Sequence, residues 1–312
     1  MTQIERYKKS VELDPKDLDA WVNLGDAYYD EGLFHKAIET YEKAIEINPD
    51  YQDIWNNLGL AYSYEGDYDK AIDSFKKAIE LDPEDAVAYY NMAYAYEDKG
   101  EEFDDEAIQN YKKALELDPG YVEVLSNLAL LYRDRKEYDK AIKYYQRAIA
   151  ISPDDSFLLK NVAVIYHDTK DYDNAILYYK KAIELDPNNA EIILELANLF
   201  FDKGDYKNAI EKYEKTISLD PYDFEAYNNI AICYYYTLDY EKSIKYYKEA
   251  INLEPDDHVI YYNIGHSYKE LEQYEKALDY FSKALEIEPD YAAAMESYEE
   301  VRQILDEIAK DI

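Results

Sequence analysis

The sequence predicts an all-α solenoid of stacked helix-turn-helix repeats, and three observations carry that reading. All nine prolines share one register: Pro15, Pro49, Pro83, Pro119, Pro153, Pro187, Pro221, Pro255 and Pro289. Seven of the eight gaps are 34 residues and the third is 36. Proline does not continue a helix, so a fixed proline period marks one structural corner met repeatedly. Between the prolines, apolar residues recur at i, i+3 and i+7, the period of a single helix face. Most prolines are followed within two residues by Asp, Asn or Glu, as in Pro153-Asp154-Asp155 and Pro187-Asn188-Asn189, side chains suited to cap the next helix.

The elements follow in order. Residues 1–17 match only the second helix of a repeat, with Ile4, Tyr7, Val11 and Leu13 apolar. No first helix precedes them, so the chain reads as a fragment of a longer array with an uncovered face, and self-association through this N-terminal end is expected. Eight repeats fill 18–291, beginning at Leu18, Gln52, Ala86, Val122, Ser156, Ala190, Phe224 and His258. Small residues such as Gly59 and Ala71 let two helices approach, and rings such as Tyr62 and Phe75 fill the space beside them. No repeat buries its own stripe, so the stack supplies the core. The third repeat holds the two-residue insertion, and its acidic Gly100–Glu106 segment reads as a solvated turn. Residues 292–312 read as a C-terminal capping helix whose apolar face is Met295, Tyr298, Val301, Ile304, Leu305 and Ile308.

Trp55, Leu58, Gly59, Tyr62, Ala71, Phe75, Ala78 and Pro83 resemble the tetratricopeptide repeat consensus at every signature position. Trp21, Leu24, Gly25, Tyr28, Ala37, Tyr41, Ala44 and Pro49 repeat it one period earlier. Later repeats drift but keep the pattern, as in Tyr89, Met92, Ala93, Tyr96 and in Tyr261, Ile264, Gly265, Tyr268. The resemblance covers essentially the whole chain. It implies a right-handed superhelix, one array over 1–312, with the first helix of each repeat lining a concave groove.

Composition narrows the function classes. Sixty-nine acidic against 34 basic residues leave a net charge of −35. Such a surface repels phosphate backbones and anionic lipid, which argues against nucleic-acid and membrane partners and favours basic or neutral ones. No apolar run reaches membrane-spanning length and Met1–Lys9 lacks a signal-peptide pattern. The single cysteine, Cys233, lies on an apolar stripe and reads as a buried, inert thiol in a reducing, cytoplasmic setting. His35, His167, His258 and His266 are not spaced as metal ligands, and no glycine-rich phosphate loop occurs. Neither a catalytic set nor a cofactor or metal site can be assembled, so the chain does not read as an enzyme.

Function is then expected on the first-helix face. The sixth position of the repeats reads Asn23, Asn57, Asn91, Asn127, Asn161, Glu195, Asn229 and Asn263. Asparagine is a mediocre helix former, so propensity does not account for the row. An amide both donates and accepts, so solvent-facing amides in a row can grip an extended peptide backbone. The alternative is that the amides tie adjacent helices together. The row resembles the asparagine ladder in the repeat superhelices of O-linked N-acetylglucosamine transferase and kinesin light chain, which implies polypeptide binding. Of 48 positions on this face 14 are acidic and only Arg133, Lys160 and Lys269 are Lys or Arg, while tyrosines interleave. The candidate peptide-binding residues are the seven asparagines with Tyr90, Tyr94, Asp98, Asp134, Asp168 and Asp202. The expected function is a scaffold for an extended basic or neutral protein segment. The alternative is the substrate-selecting arm of a larger enzyme, such as a glycosyltransferase, with its catalytic domain elsewhere.

Overall fold

The computed structural model describes residues 2–310 and holds eighteen α-helices, with no strand among the described residues. Two compact units divide the chain at Pro153. The first contains α1 (Gln3–Leu13), α2 (Leu18–Asp30), α3 (Phe34–Ile47), α4 (Gln52–Glu65), α5 (Tyr68–Leu81), α6 (Ala86–Lys99), α7 (Asp104–Leu117), α8 (Val122–Asp134) and α9 (Tyr138–Ile151). The second contains α10 (Ser156–Asp168), α11 (Tyr172–Leu185), α12 (Ala190–Asp202), α13 (Tyr206–Leu219), α14 (Phe224–Tyr236), α15 (Tyr240–Leu253), α16 (His258–Glu270), α17 (Tyr274–Ile287) and α18 (Ala292–Lys310). Within each unit, helices pack chiefly on their neighbours in sequence, the signature of a helical repeat stack.

Local chemistry explains the boundaries. Asp17, Asp85, Asp155, Asn189, Asp223 and Asp257 each cap a first helix by accepting a backbone N–H, as Asp17 Oδ1 does from Ala20 at 3.1 Å. Asp67, Asp171, Asp205 and Asp239 do the same for second helices. The turn inside a repeat needs one residue in the left-handed region, supplied by Gly32, Gly66 and Gly204 at φ of 71°, 81° and 77°. Lys136, Lys170, Leu238 and Glu272 hold the same place at φ of 57–63° without glycine's freedom. The insertion keeps Glu101, Glu102, Asp105 and Glu106 exposed, as expected of a solvated acidic turn, but it is ordered. A 3-10 turn over Glu101–Phe103 brings the Phe103 ring to 6.2 Å from Tyr96 and under Lys99 Nζ at 4.1 Å, while Lys99 pairs with Asp69 at 2.6 Å.

The core of each repeat centres on one second-helix ring. Tyr41, Phe75, Tyr111 and Tyr145 play this part in the first unit, and Tyr179, Tyr213, Tyr247 and Phe281 in the second, all at most 2% exposed. Close approach is demanded at Gly59, where a Cβ would stand 2.5 Å from the Phe75 ring. Burial pushes the Cys233 thiol up to about 12, so it stays protonated and inert as expected.

Two terminal expectations need correction. Val11 is buried at 8% exposure in the core of Leu24, Tyr28 and Tyr41, and Ile4 and Tyr7 pack against that core while staying partly exposed, so the face is covered in part. α1 packs on α2, the first helix that follows it. Leu13 alone of the four is largely exposed. At the other end α18 buries Ala294, Ser297 and Val301, with Tyr298 packed beside Phe281, while Met295 and Ile308 face solvent. No helix among the described residues is long and apolar enough to cross a membrane.

Candidate peptide-binding site

In the first unit α4 touches both α2 and α6, so successive first helices lie side by side and present one face. The asparagine row runs along it, but it is less solvent-facing than the sequence suggests. Asn23 is exposed and its Nδ2 donates to the Asp19 carbonyl of its own helix at 2.6 Å. Asn57, Asn91 and Asn127 are half-buried and each reaches back one repeat. Asn57 Nδ2 donates to Asp26 Oδ1 at 3.2 Å, and Asn91 Nδ2 to Asn56 Oδ1 at 3.0 Å. Asn127 Nδ2 approaches the Tyr90 and Tyr111 hydroxyls at 3.5 and 3.4 Å. Among the described residues no donor reaches the Oδ1 atoms of these three.

Behind the row, the buried second-helix tyrosines send their hydroxyls toward the same face. Tyr41 donates to Asp26 Oδ1 at 2.7 Å, and Tyr111 donates to Glu97. Both carboxyls are half-buried. Burial, more than the neighbouring Asp30, holds Asp26 above its ordinary range. Burial first, then the charges of Asp104, Asp98 and Asp134, pushes Glu97 up to about 7. Tyr90 and Tyr94 stand 6.4 Å apart on α6, one helical turn from each other, and Asp98 lies one turn beyond Tyr94. Asp98 is exposed yet raised by partial burial, and its charge is the chief reason the Tyr94 phenol is raised. Asp134 is exposed but already neutralised, since Arg133 grips it at 2.9 Å.

In the second unit Asn161 is buried at 3% exposure and its Nδ2 finds no partner among the described residues. Asn229 Nδ2 donates to Asn198 Oδ1 at 3.4 Å, and Tyr213 donates to the same Asn198 oxygen at 2.6 Å. Asn263 hydrogen-bonds the Tyr247 hydroxyl, which opposes the burial that raises that phenol. Glu195 takes the amide's place in the row; burial raises its carboxyl, and His167 and Lys160 pull it back. Lys160 is itself paired with Glu191 at 2.6 Å, and Asp202 is held by His167 at 2.9 Å. Asp168 is exposed and without an ion pair among the described residues. No group of three His, Cys, Asp or Glu side chains among the described residues is placed to hold a metal.

The structure thus brings Asn91, Tyr90, Tyr94 and Asp98 together around one cavity of about 380 Å³, with Leu60 and Tyr64 of α4 as its opposite wall. Tyr64, Asp26, Asp30 and Glu97 stand beside the candidate residues but were not singled out among them. Their signal was present: Leu60 and Tyr64, like Asp26 and Asp30, are four apart and share a helix face.

Residues 2–155 match the cilia and flagella-associated protein 70 C-terminal domain family. Tetratricopeptide repeat families match 156–189, 224–257 and 258–291, with further repeat matches over 178–211 and 197–237. Among solved structures, a MamA protein is 30% identical over 56% of this chain and 94% of its own, with a TM-score of 0.50. A tetratricopeptide repeat protein from Parabacteroides merdae is 20% identical over 80% of this chain and 98% of its own, with a TM-score of 0.57. A chain of the APC/C hetero-tetramer Cut9–Hcn1 is 18% identical over 95% of this chain and 58% of its own, with a TM-score of 0.50. At those last two identities the likeness speaks for the fold alone. No curated protein matches the sequence.

Proposed function

The chain belongs to the tetratricopeptide repeat family, and from that premise we propose that it is a non-catalytic, cytoplasmic scaffold. In this reading a leading half-repeat (1–17), eight repeats (18–291) and a closing helix (292–312) form one array. Its first-helix face holds an extended, basic or neutral segment of another protein. The observation that carries this is an excess of acids over cations on that face, together with large rings that stay exposed to solvent. Tyr64, Tyr94 and Tyr236 remain 64%, 47% and 56% exposed, although rings of this size are normally drawn into a core or an interface. The half-buried amides supply backbone grip. One N–H of Asn57, Asn91 and Asn127 is engaged by the preceding repeat, which fixes the side chain and leaves its oxygen to accept a peptide N–H. No observation favours the substrate-selecting arm of an enzyme over the scaffold.

Fluorescence anisotropy with the full chain tests the reading, using labelled 12-residue Ser/Ala peptides that carry four lysines, four glutamates or neither. The expected order is lysine, then neutral, then glutamate, with about tenfold between the extremes at low salt. Equal affinity for the lysine and glutamate peptides would remove the charge argument, and binding unchanged by Asn57→Ala with Asn91→Ala would remove the amide grip.

A further inference from the structure

Two cavities of the first unit adjoin along the first-helix face. The larger, about 380 Å³, is walled by Leu60, Tyr64, Tyr90 and Tyr94, with Asp98 at its edge. The smaller, about 110 Å³, is lined by Asp26, Tyr29, Asp30 and Asn57, and Leu60 belongs to both. Each therefore combines ring surface with carboxylate, in consecutive repeats and with one shared wall.

The acids here differ from those elsewhere on the face. Among the described residues, no lysine, arginine or histidine pairs with Asp26, Asp30 or Asp98. Asp134 and Asp202, which hold the same repeat position as Asp30 and Asp98, are satisfied within the chain by Arg133 and His167. Burial raises both Asp26 and Asp98, so their negative charge lacks full solvation. Tyr29 does not wander: its ring meets Phe34 and Tyr64 edge-on at 5.5 and 5.6 Å, and Tyr64 stacks on Phe34 at 4.8 Å. The walls are thus held in place before any ligand arrives. An aromatic face beside an uncompensated carboxylate attracts an ammonium or guanidinium group through the ring quadrupole and the charge together.

Resting on the peptide-binding reading, we propose that these cavities are paired subsites that seat two basic side chains of one extended segment. One side chain lies among Tyr64, Tyr90, Tyr94 and Asp98, and the other lies between Asp26 and Asp30. Leu60 forms the ridge between them, and the Asn57 and Asn91 amides hold the intervening backbone. In an extended chain, residues two apart project to the same side about 6.6 Å from each other, so two closely spaced basic residues can reach adjoining cavities without bending the backbone.

Titration of the full chain with acetylated Ser/Ala 12-mers tests this, using one lysine, or two lysines spaced by two, three or four residues. At least one two-lysine spacing should bind about tenfold tighter than the one-lysine peptide. Asp98→Asn and Asp30→Asn should each weaken that peptide about five- to tenfold, and Asp134→Asn less than twofold. Thermal melts of the three variants verify that each is folded. If two-lysine peptides bind no better than one, or if all three variants behave alike, the paired subsites are overturned while the peptide-binding face stands. Failure of every peptide, including the lysine-free control, to bind the wild-type chain would overturn both readings.

Discussion

At the scale of single residues, what a side chain does depends on the atoms within about 3.5 Å of it. Asn23 and Asn127 hold the same repeat position, but Asn23 bonds its own helix in solvent, whereas Asn127 reaches two tyrosine hydroxyls. Asn23→Ala should leave stability unchanged or slightly raised, because alanine is the better helix former. Asn127→Ala should cost about 0.5–1 kcal/mol through the lost bonds. Urea denaturation of the two variants measures the difference, and equal stability would show that the inter-repeat bonds contribute nothing. Glu97 gives a second residue-scale test. Its folded carboxyl is raised from 4.5 to about 7, so the folded chain holds this proton more tightly than the unfolded chain. The stabilisation is full below pH 4.5 and is lost as pH rises through 7. The melting temperature should therefore fall between pH 5 and pH 8. Glu97→Gln keeps an acceptor for Tyr111 and should recover about 1–2 kcal/mol at pH 8, after discounting for partial exposure. It should also flatten the pH profile; a steeper profile in the variant would reverse the assignment.

At the scale of elements, the turn between paired helices holds the unusual backbone conformation. Seven repeats place one residue at φ of 57–81°, and in four of them that residue is Lys136, Lys170, Leu238 or Glu272. A side chain in this region crowds its own carbonyl, a cost glycine escapes, although glycine loses more freedom on folding. The balance favours Lys136→Gly and Leu238→Gly by about 0.5–1 kcal/mol each. Leu238 also exposes an apolar side chain at 71%, so its replacement removes no packing. Denaturant midpoints that fail to rise would show that the turn relieves its strain in another way. The N-terminal helix yields the opposite case. Val11→Lys would place a charge in the core of Leu24, Tyr28 and Tyr41 and should melt the first repeat, where the sequence suggested only a blocked contact between copies.

At the scale of the whole molecule, the net charge of −35 acts on folding and binding with opposite salt dependence. Screening relieves self-repulsion, so the melting temperature should rise between 0.05 and 0.5 M salt. The same screening should weaken lysine-peptide binding across that series. Parallel changes of the two quantities would contradict the electrostatic account. Within each unit helices pack mainly on sequence neighbours, so a substitution in one repeat should act on that repeat and its neighbours rather than across the unit.

The sequence by itself determined the helix-pair period, the starts of the first helices from Leu18 to Ala292, the aspartate caps and the buried thiol. Each is a property of spacing or of residues a few positions apart, and local sterics and backbone hydrogen bonding settle such things before the chain meets itself. Tertiary structure decided which amide N–H groups are already engaged, why Glu97 keeps its proton near neutrality, and which acids lack a cation. It also decided that α1 packs on α2, and that α18 turns Ala294 and Val301 inward rather than Met295 and Ile308. Those outcomes depend on partners far apart in the chain, such as Asp26 with Asn57, Asn127 with Tyr90 and Asp202 with His167. A repeated motif copies the position of a side chain from one period to the next, but the atoms facing that position come from a neighbouring repeat with a sequence of its own.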